Sequence, residues 1–249
     1  GRFRFILFDI DNILGYGADS SISDPFAAFD AEEYRSVIVT LFHNLLANDT
    51  FNKLFVDSYC ILIGSVFQPD HFGPIINELG ARAKREMSFN NESPQSDINM
   101  LLERINESLL STRIYQLKSW GYTNTLSSMV TKNLSANLPQ ATLEINGIPV
   151  PTGKFKGVLL TKSTVTAYAP QGYTFTGWKK SNGTIVSTDP EYNLRTISNE
   201  TLIACFTPDS IIMPVRINEV SAGNKVFIND SFKKHDWVEL YNVTDQPYD

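Results

Sequence analysis

Two aspartates, Asp9 and Asp11, follow directly on the hydrophobic run Phe3–Phe8 near the start of the chain. A run this rich in aromatic and aliphatic side chains is typical of a β-strand. Carboxylates just beyond a strand end point in a fixed direction, and their hard oxygen atoms are the ligands that Mg²⁺ prefers. The spacing therefore predicts a divalent-cation site at Asp9 and Asp11.

The residues after this motif predict a series of helices. A loop rich in Gly, Asp and Ser covers residues 12–30, and apolar side chains then recur at helical spacing. The predicted helices lie within residues 37–46, 51–66, 69–79, 98–109 and 115–129. No strand-like alternation interrupts this part of the sequence.

From Ala141 onward, short alternating runs separated by turn residues predict strands. These strands cover residues 141–145, 155–160, 163–169, 173–178, 184–186, 201–206, 215–220 and 236–242. Asn146-Gly147 and Asn182-Gly183 predict tight hairpins, because Asn and Gly tolerate a positive φ. The residues 208–214, bounded by two prolines, form a joint before the last two strands.

These patterns predict an α+β multidomain chain. Residues 1–138 would form a helical domain with a short N-terminal strand, and residues 139–209 a small all-β domain. Residues 210–249 would form a truncated β segment, because the few strands there, with open edges, do not make an independent sandwich. No partner strand, phosphate-binding loop or base precedes the Asp9 motif, so we expect the chain to begin inside a larger domain.

Composition excludes several classes of function. The 249 residues carry a formal net charge of −6, which disfavours a nucleic-acid partner because such surfaces need clustered Lys and Arg. No window approaches the roughly 18 consecutive apolar residues of a membrane span. We therefore expect neither nucleic-acid binding nor a transmembrane segment in this chain.

The remaining chemistry-bearing side chains are predicted to be structural. Cys60 and Cys205 lack close Cys or His neighbours, which favours two buried free thiols. His43 lies in an apolar helix and is expected to pack there, whereas His71 and His235 are expected at a helix start and in a loop. The basic cluster 82–85 is interpreted as a solvated helix face.

Residues 4–15 resemble the strand and Asp-x-Asp motif of CotH-family (spore coat) atypical protein kinases. The helical segments 41–46, 50–55 and 109–113 are similar, in order, to the carboxy-terminal half of that family. The resemblance implies that Asp9 holds Mg²⁺ on the phosphates of ATP and that Asp11 belongs to the same cofactor and metal site. The family's catalytic base lies upstream, so no catalytic residue is assigned here, and this chain alone is expected to be inactive.

Two other interpretations of the aspartate pair stay open. The side chains could simply cap backbone N–H groups in a turn at the strand end. Residues 5–11 also resemble the first motif of haloacid-dehalogenase-like phosphatases, in which the first Asp attacks phosphorus beside Mg²⁺. That scaffold requires further strands, whereas helices are predicted here, and Ile13 stands where that family has Thr or Val.

The second half of the chain resembles two modules of bacterial surface proteins. Residues 167–178 look like the Gly-Tyr-x-Phe-x-Gly-Trp signature of internalin-B-type repeats, whose fold is β-grasp-like. Tyr173, Phe175 and Trp178 would supply its core, or alternatively a platform for carbohydrate. The blocks 217–220 and 236–242 are similar to the opening of a lamin-tail-like domain. This resemblance implies that residues 210–249 are a partial immunoglobulin-like β segment with a role in adhesion or anchoring.

Together these resemblances imply a fragment of an exported bacterial multidomain protein, placed outside the cell or in the envelope. The intact parent would carry out protein phosphorylation with Mg²⁺ and ATP. The competing hypothesis is a cell-surface binding or scaffold protein whose kinase-like region is degenerate. The protein substrate or cell-surface ligand is not specified by either hypothesis.

Overall fold

The computed structural model describes residues 37–90, 93–120, 129–209, 214–226, 228, 233–245 and 247. Within these ranges the chain is a mixed α+β protein. The helices come first: α1 is Val37–Leu46, α2 is Asp49–Gly64, α3 is Pro69–Met87, α4 is Gln95–Arg104 and α5 is Glu107–Ser119. A 3₁₀ turn, Ser88–Asn90, follows α3.

The predicted helical series is confirmed between residues 37 and 119, with one boundary in error. The sequence predicts a single helix through Leu109, but α4 ends at Arg104 and α5 begins at Glu107. The side chain of Asn106 bonds back to the carbonyl oxygen of Glu103 at this break, because an Asn side chain competes with helical hydrogen bonds.

The α2 helix is the element that connects the helices to the β-strands. The Asn48 side chain accepts a hydrogen bond from the backbone N–H of Phe51 at 3.0 Å and so caps its first turn. One face of α2 is buried along its length, through Asn52, Val56, Asp57, Cys60, Ile61 and Gly64. The helix therefore presents a stripe that is apolar apart from Asn52 and one charged side chain, Asp57.

Nine strands between residues 131 and 208 form two sheets. They are β1 Thr131–Ala136, β2 Thr142–Ile145, β3 Ile148–Pro149, β4 Phe155–Val158, β5 Thr164–Tyr168, β6 Tyr173–Lys180, β7 Ile185–Ser187, β8 Glu191–Asn193 and β9 Glu200–Pro208. One sheet has the order β4-β1-β9-β6-β7 and the other has the order β3-β2-β5-β8. We call these nine strands the β module.

The first strand of the β module was not predicted. β1 precedes residue 139, the predicted start of the β domain. It occupies an interior position between β4 and β9. Its pairing with β9 is parallel, with Leu134 opposite Leu202. Its pairing with β4 is antiparallel, with Leu134 opposite Phe155. These three apolar side chains thus lie on one face of the sheet.

Both predicted hairpins are present, with different turns. Asn146 and Gly147 have φ values of 52° and 76°, which is the type I′ turn that joins β2 and β3. Between β6 and β7 only Gly183 has a positive φ, 85°, and its N–H donates to the carbonyl oxygen of Lys180. That second turn is the three-residue form with Gly in the left-handed position.

The aromatic signature packs into the β module. Trp178 is fully buried, and its indole Nε1–H donates to the carbonyl oxygen of Pro190 at 3.0 Å. Phe175 is half-buried and contacts the rings of Trp178 and Phe206. The predicted core role of Trp178 is confirmed, because a buried indole with a satisfied N–H has no surface to offer a ligand.

The α2 helix packs directly on β4. The ring of Phe155 is fully buried and lies where a side chain at Gly64 would have to be. By their internal contacts, the described residues divide into one compact unit, which runs up to residue 206 without residues 170–174, and a second, which consists of residues 170–174 and those from 207 onward. The helices and most of the β module therefore share a unit, while the two predicted domain boundaries stay predictions.

The second unit contains an antiparallel pair, β10 Val215–Ser221 and β11 Trp237–Asn242, with a register shift between Ile217 and Glu219. Both strands were predicted from the sequence. The Asp236 side chain accepts hydrogen bonds from the backbone N–H groups of Gly223 at 2.7 Å and Asn224 at 3.0 Å. The segment before β11 is thereby tied to the turn that follows β10.

Replacing Gly64 by alanine should destabilise the protein. The added Cβ would lie 2.3 Å from the Phe155 ring, and overpacking of this kind costs about 1–3 kcal/mol. Urea denaturation followed by circular dichroism measures the change. Gly73→Ala in α3 is the matched control, since its Cβ would meet Leu102 at an ordinary 3.8 Å. Equal stability of the two variants would contradict the packing described.

Candidate functional site

The predicted cation site lies outside the residues that the structure describes. Asp9 and Asp11 both fall in the segment 1–36, so their role stays a prediction. In the described part of the chain, no three His, Cys, Asp or Glu side chains converge as metal ligands would. The chemistry of the described residues therefore has to be sought in other groups.

The three histidines occupy the predicted kinds of position. His43 is half-buried, and its ring lies 6.5 Å from that of Phe42 and 5.7 Å from that of Trp120. His71 is exposed in the first turn of α3, and His235 is exposed outside any regular element. The packing role of the first and the surface positions of the other two are confirmed.

The predicted basic cluster is a solvated face of α3. Arg82, Lys84 and Arg85 are all exposed. A guanidinium nitrogen of Arg82 lies 4.0 Å from a carboxylate oxygen of Glu78, one turn earlier. An exposed pair at this spacing contributes little to stability, so this face offers no organised site.

The carboxylate of Asp57 is the centre of a polar cluster between α2 and the β module. Asp57 is 1% exposed. Its Oδ2 accepts hydrogen bonds from Nζ of Lys53 at 2.5 Å and from Nδ2 of Asn146 at 2.7 Å. Its Oδ1 accepts from the hydroxyl of Thr161 at 2.5 Å. A buried charge requires such partners, and here they come from three separate segments.

The amide of Asn146 is held at both ends. Its Nδ2 donates to Asp57 and also lies 3.3 Å from the hydroxyl of Ser163. Its Oδ1 accepts a hydrogen bond from the backbone N–H of Thr164 at 3.0 Å. The Ser163 hydroxyl in turn donates to the carbonyl oxygen of Thr161 at 2.9 Å. The left-handed conformation of Asn146 in its turn aims the amide into this cluster.

The thiol of Cys60, next to this cluster on α2, is shielded from water. Cys60 lies on the buried face of α2, and burial raises the pKa of its thiol to about 12. The negative charge of Asp57 adds to the rise, while a backbone hydrogen bond with Leu160 opposes it. Both cysteines are free as predicted, although Cys205 is only partly buried.

Two clefts open beside α2. The first, of about 710 Å³, gives access to the Asp57 cluster and is lined by Lys53, Asp57, Asn146, Gly147, Thr164 and Glu191 among others. The second, of about 520 Å³, lies between the α2–α3 corner and β4 and is lined by His71, Lys154 and Lys156 among others. Only the first combines an amine, a carboxylate and an amide in mutual hydrogen bonds.

A second buried polar centre lies within the β module. Nζ of Lys132 lies 2.9 Å from Glu200, and their side chains are 3% and 7% exposed. The amine also donates to the carbonyl oxygens of Ser198 and Arg195. The Tyr192 hydroxyl donates to Glu200, and burial, followed by the charge of Glu200, raises the pKa of that hydroxyl. Lys132 and Glu200 join β1 to β9, and the other groups come from β8 and from the segment before β9, which is a structural role.

Sequence reasoning missed Lys53, Asp57 and Asn146. A signal existed for the first two, since Lys53 precedes Asp57 by one helical turn and Asp57 interrupts an otherwise apolar stripe. Asn146 was interpreted only as a turn former, because the Asn-Gly pair explains the backbone without any need for the side chain. Thr161 carries no signal of its own.

Part of the β module matches a known protein family. Residues 152–210 match the family model described as divergent InlB B-repeat domain. The match covers β4 to β9, whereas β1, β2 and β3 precede it and complete both sheets. Neither the curated proteins nor the solved structures gave a significant match. Among the described helices, none has the length and apolarity needed to cross a membrane.

Cys60 should resist alkylation in the folded protein. Its raised pKa keeps the thiol protonated at about pH 8, near the usual pKa of a free thiol, and only the thiolate reacts. Iodoacetamide followed by peptide mass mapping should modify Cys60 only after unfolding in urea. The same map of Cys205, which is partly exposed, provides the internal control. Modification of Cys60 at equal rates in folded and unfolded protein would contradict its burial.

Proposed function

We propose that this protein is a binding or scaffold component of a bacterial cell surface. The observation that carries the proposal is the match of residues 152–210 to the InlB B-repeat family. The chain therefore contains an InlB-like repeat, which is consistent with a surface-associated multidomain protein. Its extracellular or envelope location, and its cell-surface ligand, belong to this proposal.

The geometry supports a scaffold role for the region as a whole. The β module is packed against the helices, because Asp57 of α2 accepts hydrogen bonds from Thr161 and Asn146 of the module. The ring of Phe155 fills the space left by Gly64. A B-repeat joined to α2 by these buried contacts is held at a fixed place relative to that helix, as a scaffold requires.

The location can be tested on intact cells of the producing bacterium. Antibodies raised against the β module should label unbroken cells or be depleted by externally added protease. A cytoplasmic enzyme probed in the same samples is the control for lysis. Labelling that requires broken cells would exclude a surface role and with it the proposed function.

A second candidate is protein phosphorylation by the intact parent, with Mg²⁺ and ATP. It is favoured by one observation above all: the Asp9-Ile10-Asp11 motif directly follows a run of residues typical of a strand. In this proposal Asp9 and Asp11 hold Mg²⁺ on the nucleotide phosphates, where the cation neutralises developing charge. The family match does not extend to these residues, so this candidate rests on the motif and on the resemblance of the helical segments that follow it.

Phosphate incorporation separates the two candidates. The purified chain with ATP and Mg²⁺ should incorporate no phosphate, because positioning groups expected upstream are needed for transfer. The longer parent should incorporate it, and Asp9→Asn in the parent should abolish incorporation. Asp70→Asn, at an exposed position on α3, is the matched control. An inactive parent would leave the scaffold as the function, and an active isolated chain would refute the requirement for upstream groups.

A further inference from the structure

The Asp57 cluster contains the groups needed to make a covalent bond. Lys53 offers a primary amine, Asn146 a carboxamide, and Asp57 a carboxylate that bonds to both. We propose that Lys53 and Asn146 condense to an intramolecular isopeptide bond that joins α2 to the β2–β3 turn, with Asp57 as the catalytic acid–base group. This inference is independent of the proposed function.

The reacting groups are already neighbours. Nζ of Lys53 and Nδ2 of Asn146 both lie within hydrogen-bond distance of a single atom, Oδ2 of Asp57. The two nitrogens are thus separated by one oxygen, although the residues lie far apart in sequence. Holding two reactants in this way favours the reaction, since the entropy of encounter is lost once, on folding.

The carboxamide is polarised for attack. Its Oδ1 accepts the backbone N–H of Thr164 at 3.0 Å, so a donor already faces the oxygen on which negative charge develops when the amine adds to Cγ. A fixed backbone donor at that position stabilises a tetrahedral intermediate in acyl transfer. The interaction needs no rearrangement, because Thr164 is the first residue of β5.

Asp57 is placed to move the protons. Its side chain is 2% exposed and bonds both to the amine of Lys53, whose side chain is 43% exposed, and to the amide of Asn146. Transfer of a proton from Lys53 to Asp57 frees the lone pair of the amine. The same carboxyl group, bonded to Nδ2 of Asn146, then has its proton directed at the leaving group.

The step balances without any co-reactant. The amine of Lys53 adds to Cγ of Asn146, the Cγ–Nδ2 bond breaks, and the nitrogen leaves as ammonia, which takes up the proton that Lys53 gave to Asp57 and departs as ammonium. The product is a secondary amide between the two side chains, with Asp57 regenerated. Ammonia can leave through the cleft of about 710 Å³ that Lys53, Asp57 and Asn146 line.

One competing reaction of Asn146 has to be distinguished. The backbone nitrogen of Gly147 can attack the same Cγ to give a succinimide, which also releases ammonia and then hydrolyses to Asp or isoAsp. That route does not use Lys53. Replacing the lysine therefore separates the two reactions, whereas the mass of the protein alone does not.

The test is mass spectrometry of the purified full-length chain of this sequence, without any added ligand. The intact mass should be lower than the sequence mass by one ammonia in most molecules. Proteolysis should yield a branched peptide that contains both Lys53 and Asn146. Lys53→Arg, which keeps the charge and the pairing with Asp57, should restore the full mass. Lys180→Arg, at an exposed lysine of β6, should retain the loss.

Three outcomes would overturn the proposal. An unmodified wild-type mass after prolonged incubation shows that the amine does not react. A loss of ammonia that persists in Lys53→Arg shows a succinimide at Asn146. A gain in mass at Asn146 shows hydrolysis of the amide instead. Because the wild-type mass is measured first, a failure of any variant to fold leaves the test decisive.

Discussion

A carboxylate that is withheld from water needs donors, and Asp57 receives them from α2, from the β2–β3 turn and from the segment before β5. Removing one partner of a buried charge costs more than the interaction itself contributes. The cluster is therefore satisfied only when the helix and the β module are assembled together. The Phe155 ring against Gly64 adds the apolar half of the same requirement.

Local patterns in the sequence predicted the elements whose causes are local. Helical spacing identified α1, α2 and α3, and the two Asn-Gly pairs located hairpins that the structure contains. Trp178 was predicted to pack in a core because a small β domain needs a large apolar side chain. In each case the cause lies within a few residues of the element.

The missed features depend on residues far away in the sequence. β1 contains Lys132 at a buried position, and a lysine there does not fit the pattern of a strand. The burial is possible because Glu200 and nearby carbonyl oxygens accept hydrogen bonds from its amine. The Asp57 cluster likewise combines residues of α2 with residues of the β module. The predicted cation site at Asp9 and Asp11 lies outside the described residues and stays a prediction.

The parallel pairing of β1 with β9 has a mechanical consequence. These are the first and last strands of the β module, and they lie side by side from Lys132 opposite Glu200 to Ala136 opposite Ala204. Tension applied through the two ends of the module would pull these strands past each other along their length. All of the hydrogen bonds between them would then share the load in shear, instead of opening one after another like a zipper.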